Sequence, residues 1–320
     1  MPERLRVNQC VSILVMLITL CVTPQWSLSN TVTTPSAPEQ FTDDRPIFVV
    51  LGLANSLNDD IKRTIATEFV DRNLSVIELD DQSLRSIEWP EQGLIIAAGV
   101  AGCEQILGIN VTLDVRCVLL TEENFRSIHR NAKLPLPRSL SALVIDQPVV
   151  RQAQVAQRVY PALSRFAVLS ESNKQNDTAS SKEISLDSNQ YRPTLPLAPQ
   201  LSEVLATNDA LIAIPESSIF SRKTLRTVLL TAYGYGKPVV GLSRAYVKAG
   251  ALITAYSTPE QIFREIAETP TTAITESATI VSYPRYFSIA DNVNVAKSLR
   301  LTKLLSFDAY TTFTDRDFRP

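Results

Sequence analysis

The stretch from Asp209 to Tyr256 constrains the fold most tightly. It opens on Ala210-Leu-Ile-Ala-Ile-Pro215, an apolar, branched run short enough to be a buried strand. A polar loop, Glu216 to Ser218, follows, and then a helical pattern over residues 221–235. Gly236-Lys-Pro238 punctuates the chain before a second buried strand, Val239-Val-Gly-Leu242. Ser243 and Arg244 lead into a short turn that ends at Ala249-Gly250. Strand, loop, helix, strand, loop in this order predicts a parallel βαβ unit, whose ligand edge lies at the carboxyl ends of its strands.

The chain upstream repeats that alternation. Residues 47–51 form an apolar run with a loop, 52–56, behind it; Ile61, Ile65, Phe69 and Val70 then recur at helical spacing. Residues 74–79, 93–98 and 115–120 read as further strands, and a Gly99-Val-Ala-Gly102 turn opens a short helix to Leu107. Strands alternating with helices predict a parallel, doubly wound sheet. Residues 140–146 look like a crossing into a second lobe, followed by a helix over 148–163 and a strand at 166–169. The run from Ser170 to Ser181 is polar and predicts a flexible loop. Three prolines between Tyr191 and Pro199 argue against regular helix there. Thr258-Pro259 signals a helix start, residues 278–282 a returning strand, and 291–299 a last helix, with a peripheral tail from Ser306.

Several of these features occur together in one family. Pro215, Ser217 to Ser221, Lys237-Pro-Val239 and, most specifically, Val247-Lys-Ala-Gly-Ala-Leu252 resemble the second lobe of ABC transporter substrate-binding proteins. The similarity is to the tryptophan/tyrosine-type periplasmic binding proteins, and Gln147-Pro-Val-Val-Arg-Gln152 resembles the family's passage between lobes. The resemblance implies an α/β fold of the periplasmic binding protein type I kind: two doubly wound parallel-sheet lobes joined by three crossings, near Asp146, Gly250 and Tyr283. Lobe 1 would comprise residues 46–145 with about 251–280, lobe 2 residues 146–250 with about 281–305, and 306–320 a C-terminal tail.

A two-lobe protein binds a small ligand between its lobes. The resemblance places ligand-binding loops at Leu53 to Ser56 with Asn55, at Gly99, Val100 and Ala101, at Thr121 and Glu122, at Glu216 to Ser218 with Ser217, and at Ser243 and Arg244. Asn55, Ser56, Ser217 and Ser243 would bond a ligand's polar ends, and Arg244 would pair with a carboxylate. Gly99 to Ala101 either offer backbone N–H groups to an anionic group or make a tight turn for helix–sheet packing. The implied function is an exported binding protein that captures a small, amino acid-like solute for an ABC-type transporter, with a membrane permease as partner. The alternative is a ligand-sensing or interaction protein of the same fold that signals to a membrane receptor or kinase.

Composition and motifs narrow the remaining chemistry. A net charge of -2 gives no general attraction to nucleic acid. The single histidine, His129, sits beside Arg130 in a polar segment, and no Gly-x-Ser-x-Gly elbow or metal-ligand motif exists. The sequence therefore reads as a binding protein and not an enzyme, with no cofactor or metal. Residues 1–29 carry Arg4 and Arg6, an apolar run over 10–22 and a small-residue cleavage site at Ser27 to Ser29, so they read as a cleaved signal peptide. That implies a periplasmic location. Leu20 before Cys21 is larger than lipoprotein processing prefers, which argues against lipid anchoring. Residues 30–45 read as a linker. Cys103 and Cys117 remain after leader removal, either as a disulfide of an oxidising compartment or as two buried thiols.

Overall fold

The computed structural model describes residues 45–53, 55–70, 72–79, 84–132, 136–171, 184–269, 281–308 and 311–318, except for the side chains of Asn55 and Ser56. The expected signal peptide, Cys21, the linker through residue 44, the polar span 172–183 and residues 278–280 of the expected returning strand lie outside them. The described residues pack as one compact unit, built on two six-stranded sheets.

The first sheet contains β1 (Ile47–Leu51), β2 (Leu74–Glu78), β3 (Leu94–Ala98), β4 (Asp114–Val118), β5 (Ser139–Leu143) and β11 (Val281–Ser282). Their order is β11-β5-β4-β3-β1-β2 and every pairing is parallel. Parallel strands are covered on both faces, which is why β3 is Leu-Ile-Ile-Ala-Ala and buried throughout. Successive side chains go to opposite faces. Val50, Ile95 and Ala97 pack with Ile106 of α2 (Gly99–Leu107) and Phe125 and Ile128 of α3 (Glu122–Asn131). Val49, Leu51 and Ile96 pack with Ile61 and Ile65 of α1 (Asn55–Glu68) and Ile262, Phe263 and Ile266 of α8 (Pro259–Glu268). The sheet is therefore doubly wound. Cys103 on α2 is bonded to Cys117 on β4, with Cα atoms 5.7 Å apart, and ties helix to sheet.

The second sheet runs β12-β10-β9-β8-β6-β7. It comprises β6 (Arg165–Ser170), β7 (Ser185–Gln190), β8 (Ala210–Ile212), β9 (Val239–Val240), β10 (Ile253–Tyr256) and β12 (Ser288–Asp291). All pairings are parallel except β12, antiparallel to β10. Helices α4 (Val149–Val159), α5 (Leu197–Thr207), α6 (Leu225–Gly234), α7 (Arg244–Ala249) and α9 (Val293–Ser298) belong to this lobe. Among the described residues no helix is long and apolar enough to cross a membrane.

Three passages depart from the expectations. Helix α5 forms where prolines argued against one, because Pro196 is its cap and Pro199 sits in the first turn, where backbone N–H groups have no intrahelical partner to lose. The second crossing lies after Tyr256 and not near Gly250, since β10 is hydrogen-bonded inside the second sheet. The described part of the expected tail is not simply peripheral: Phe313 exchanges backbone hydrogen bonds with Phe287, at 3.0 and 2.7 Å, and Phe318 is buried beside both rings.

The three crossings are laced together. The Gln147 amide of the first donates to Ser257 Oγ of the second at 2.9 Å, and Ser257 Oγ donates to the Tyr286 carbonyl of the third at 2.6 Å. Arg151, only 5% exposed, donates through Nη1 to Gln147 Oε1 and the Pro284 carbonyl, both at 2.7 Å. Its Nε and Nη2 grip both oxygens of Asp315 at 2.6 and 2.9 Å. A bidentate guanidinium of this kind fixes orientation as well as adding energy.

Candidate functional site

A cavity of about 620 Å³ opens between the lobes. This lies within the range of small-molecule sites, about 300–1,000 Å³. Its first-lobe wall is the start of α3. Thr121 caps that helix, its side chain accepting from the Asn124 backbone N–H at 3.2 Å, and Glu122 and Glu123 fill the first turn, where the helix dipole favours acidic groups. Arg126 and Arg130 follow one and two turns later. The floor is the first crossing, with Ile145, Asp146 and Pro148, and Tyr283 of the third crossing closes one side.

The second-lobe wall comes from strand ends. Ile212 to Pro215 continue β8 into the cavity, Glu216 stands at the loop, and Leu242 and Ser243 follow β9. The apolar run that makes β8 a buried strand thus delivers Glu216 to the cleft by construction. Glu171, just beyond β6, adds a further carboxylate.

The carboxylates are held in defined positions. Asp146 Oδ2 accepts the Glu122 backbone N–H at 2.5 Å. Glu122 accepts from Arg126 Nε at 2.6 Å and from the Tyr283 hydroxyl at 2.5 Å. Glu216 Oε2 accepts the Glu171 backbone N–H at 2.8 Å, joining the ends of β6 and β8. Burial pushes the Asp146 carboxyl up to about 6; the Glu122 N–H opposes this, and the charges of Glu122 and Glu123 add to it. Burial also raises Glu216, with the charges of Glu171 and Glu123 acting in the same direction against the N–H of Glu171. Tyr283 is raised by burial first, then by its bond to Glu122.

Of the residues singled out in the sequence, Thr121, Glu122, Glu216 and Ser243 line this cavity. Ser243 is also the cap of α7, its hydroxyl accepting from the Tyr246 backbone N–H at 3.5 Å. Arg244 does not reach the cavity; it is exposed and lies 5.7 Å from the Tyr256 ring centre. Ser217 is exposed and outside the lining. Gly99, Val100 and Ala101 are also outside it. Their turn serves packing: a Cβ on Gly52 would overlap the Gly102 backbone nitrogen, and Gly99 adopts φ 80°, which favours glycine. Asn55 opens α1, but its side chain and that of Ser56 lie outside the described residues. His129 stacks on Phe125 at 6.1 Å, on α3 and outside the cavity lining.

Sequence reasoning missed Asp146, Glu123, Arg126, Arg130, Glu171 and Tyr283 as lining residues. The available signal was position: Asp146 lies on the first crossing and Tyr283 opens the third. Among the described residues no group of three His, Cys, Asp or Glu side chains converges to hold a metal ion.

No protein-family model matches the chain, and no curated protein matches it. Solved structures do. A ligand-free, open substrate-binding protein with adhesive properties from Clostridium difficile is 12% identical, with a TM-score of 0.56, over 83% of this chain and 97% of that one. An ABC domain in complex with L-Trp from Streptococcus pneumonia is 14% identical, with a TM-score of 0.46, over 81% and 95%. A periplasmic solute-binding protein from Actinobacillus succinogenes with bound D-allose is 12% identical, with a TM-score of 0.37, over 80% and 100%. With two parallel-sheet lobes and three crossings, this chain has the fold of type I periplasmic binding proteins.

Proposed function

We propose that this protein is an exported solute-binding protein that captures a small organic ligand between its lobes and presents it to an ABC-type transporter. The observation that carries this reading is the cavity of about 620 Å³ at the carboxyl ends of strands from both sheets, floored by a crossing. Its walls belong to separate lobes, so a ligand touching both has a higher affinity for the closed arrangement. That difference is the free energy available to drive closure. Hydrogen bonds join the three crossings at one place, which is where such a closure would turn.

A thermal-shift screen tests the reading. A ligand at one hundred times its dissociation constant stabilises the fold by about 2.7 kcal/mol. A hit whose stabilisation is lost when Ser243 or Thr121 is replaced by a bulky residue supports capture in this cleft. A hit indifferent to every cleft substitution refutes it.

A further inference from the structure

The cleft is lined by more acidic than basic side chains. Five carboxylates line it, those of Glu122, Glu123, Asp146, Glu171 and Glu216, against the two guanidinium groups of Arg126 and Arg130. One guanidinium is already engaged, since Arg126 is bound to Glu122. The carboxylates also act on one another across the lobe boundary. Glu123 of the first lobe contributes repulsion both at Asp146, on the crossing, and at Glu216, on the second lobe. Like charges that meet across a closing cleft repel more strongly as water leaves, because the effective dielectric falls. Closure around a neutral or anionic ligand would leave that repulsion in place. A cation between the walls converts it to attraction.

Resting on the solute-capture reading of this cleft, we infer that its ligand is an organic cation: an ammonium or guanidinium group carried on an apolar body. The charged group sits against the carboxylate lining, to which Glu123, Asp146 and Glu216 contribute from three separate chain segments. The body lies against Ile212, Ile214 and Leu242, the apolar strand ends of the second lobe. The carboxylates are spread around an open cleft and do not converge as a metal site does, which suits an extended organic ion better than a compact metal ion. Ligand charge then becomes a condition of closure as well as of affinity.

Matched probes test the inference on the purified full chain. Phenethylamine, agmatine and putrescine supply cations; phenethyl alcohol and 3-phenylpropionate keep an apolar body but carry no charge or a negative one. Binding is followed by calorimetry and by thermal shift. The expected result is that cations bind and the neutral and anionic counterparts do not. Glu123→Gln and Glu216→Gln should each weaken binding by about tenfold, the loss of one charge-assisted contact. If 3-phenylpropionate or the alcohol binds more tightly than the cations, or if the two glutamine variants bind cations as well as the parent does, the charge inference fails while solute capture stands. If no cation binds a folded sample that still gives a cleft-dependent hit in the thermal-shift screen, the charge inference falls and solute capture stands.

Discussion

Replacing Asp146 with asparagine tests the electrostatics of the cleft floor. The carboxyl is half-buried near Glu122 and Glu123, so its pKa rises from 3.8 to about 6. A raised acid holds its proton more tightly in the folded chain than in the unfolded one. Its stabilising contribution is therefore complete below about pH 4 and lost as pH rises through about 6. The displacement from 3.8 to about 6 corresponds to about 3 kcal/mol. The amide of an Asp146→Asn variant would keep an oxygen to accept the Glu122 N–H and would carry no charge. The two proteins should therefore be equally stable near pH 4, and the variant more stable by up to about 3 kcal/mol near pH 7.5. Urea denaturation at half-unit pH steps, without ligand, measures the difference. The other carboxylates titrate in both proteins and largely cancel. Stability curves that run parallel from pH 4 to 7.5 would refute the argument, and so would a variant that loses ground as pH rises.

Two further outcomes follow from the lobes. The Cys103–Cys117 bond closes a loop with a sequence separation of 14, for which the chain-entropy estimate is about 3 kcal/mol. A double Cys→Ala variant, or the parent in reductant, should unfold at a clearly lower denaturant midpoint; unchanged midpoints would count against a structural bond. Arg151→Met removes the guanidinium that holds Asp315, Gln147 and Pro284. It should cost about 2 kcal/mol, the loss of hydrogen bonds to a charged group, and expose the segment around Phe313 to limited proteolysis. Cleavage at the parent's rate would show that the tail docks without Arg151.

Much of the fold was legible because parallel strands announce themselves. Apolar runs such as Leu94–Ala98 and Ala210–Ile212 have few other readings when turn residues bound them. Helix α3 was harder. Its ten residues are mostly charged or polar, and only Phe125 and Ile128 are buried, so its apolar stripe is too narrow to stand out. Helix α5 was obscured by counting prolines without their position in the first turn. The site was only partly legible. Loops at strand ends could be placed, and Thr121, Glu122, Glu216 and Ser243 came out in the cavity. Side-chain direction could not: Arg244 lies out toward Tyr256, beyond any spacing argument. The pairing of Tyr283 with Glu122 spans 161 residues and arises only when the third crossing returns beside the first.

The interleaving of the lobes bears on how the chain is made. Neither sheet is one continuous stretch: the first takes β11 and α8 from residues beyond 258, and the second needs β12 and the Phe313 pairing. On a ribosome, which releases the chain from its N-terminus, β5 emerges well over one hundred residues before its partner β11. Until then its outer edge has unsatisfied N–H and C=O groups and its apolar face lacks α8, a template for pairing with another nascent chain. Final closure of both cores is thus a late event in biogenesis, and the half-made protein is the form most in need of a holding chaperone.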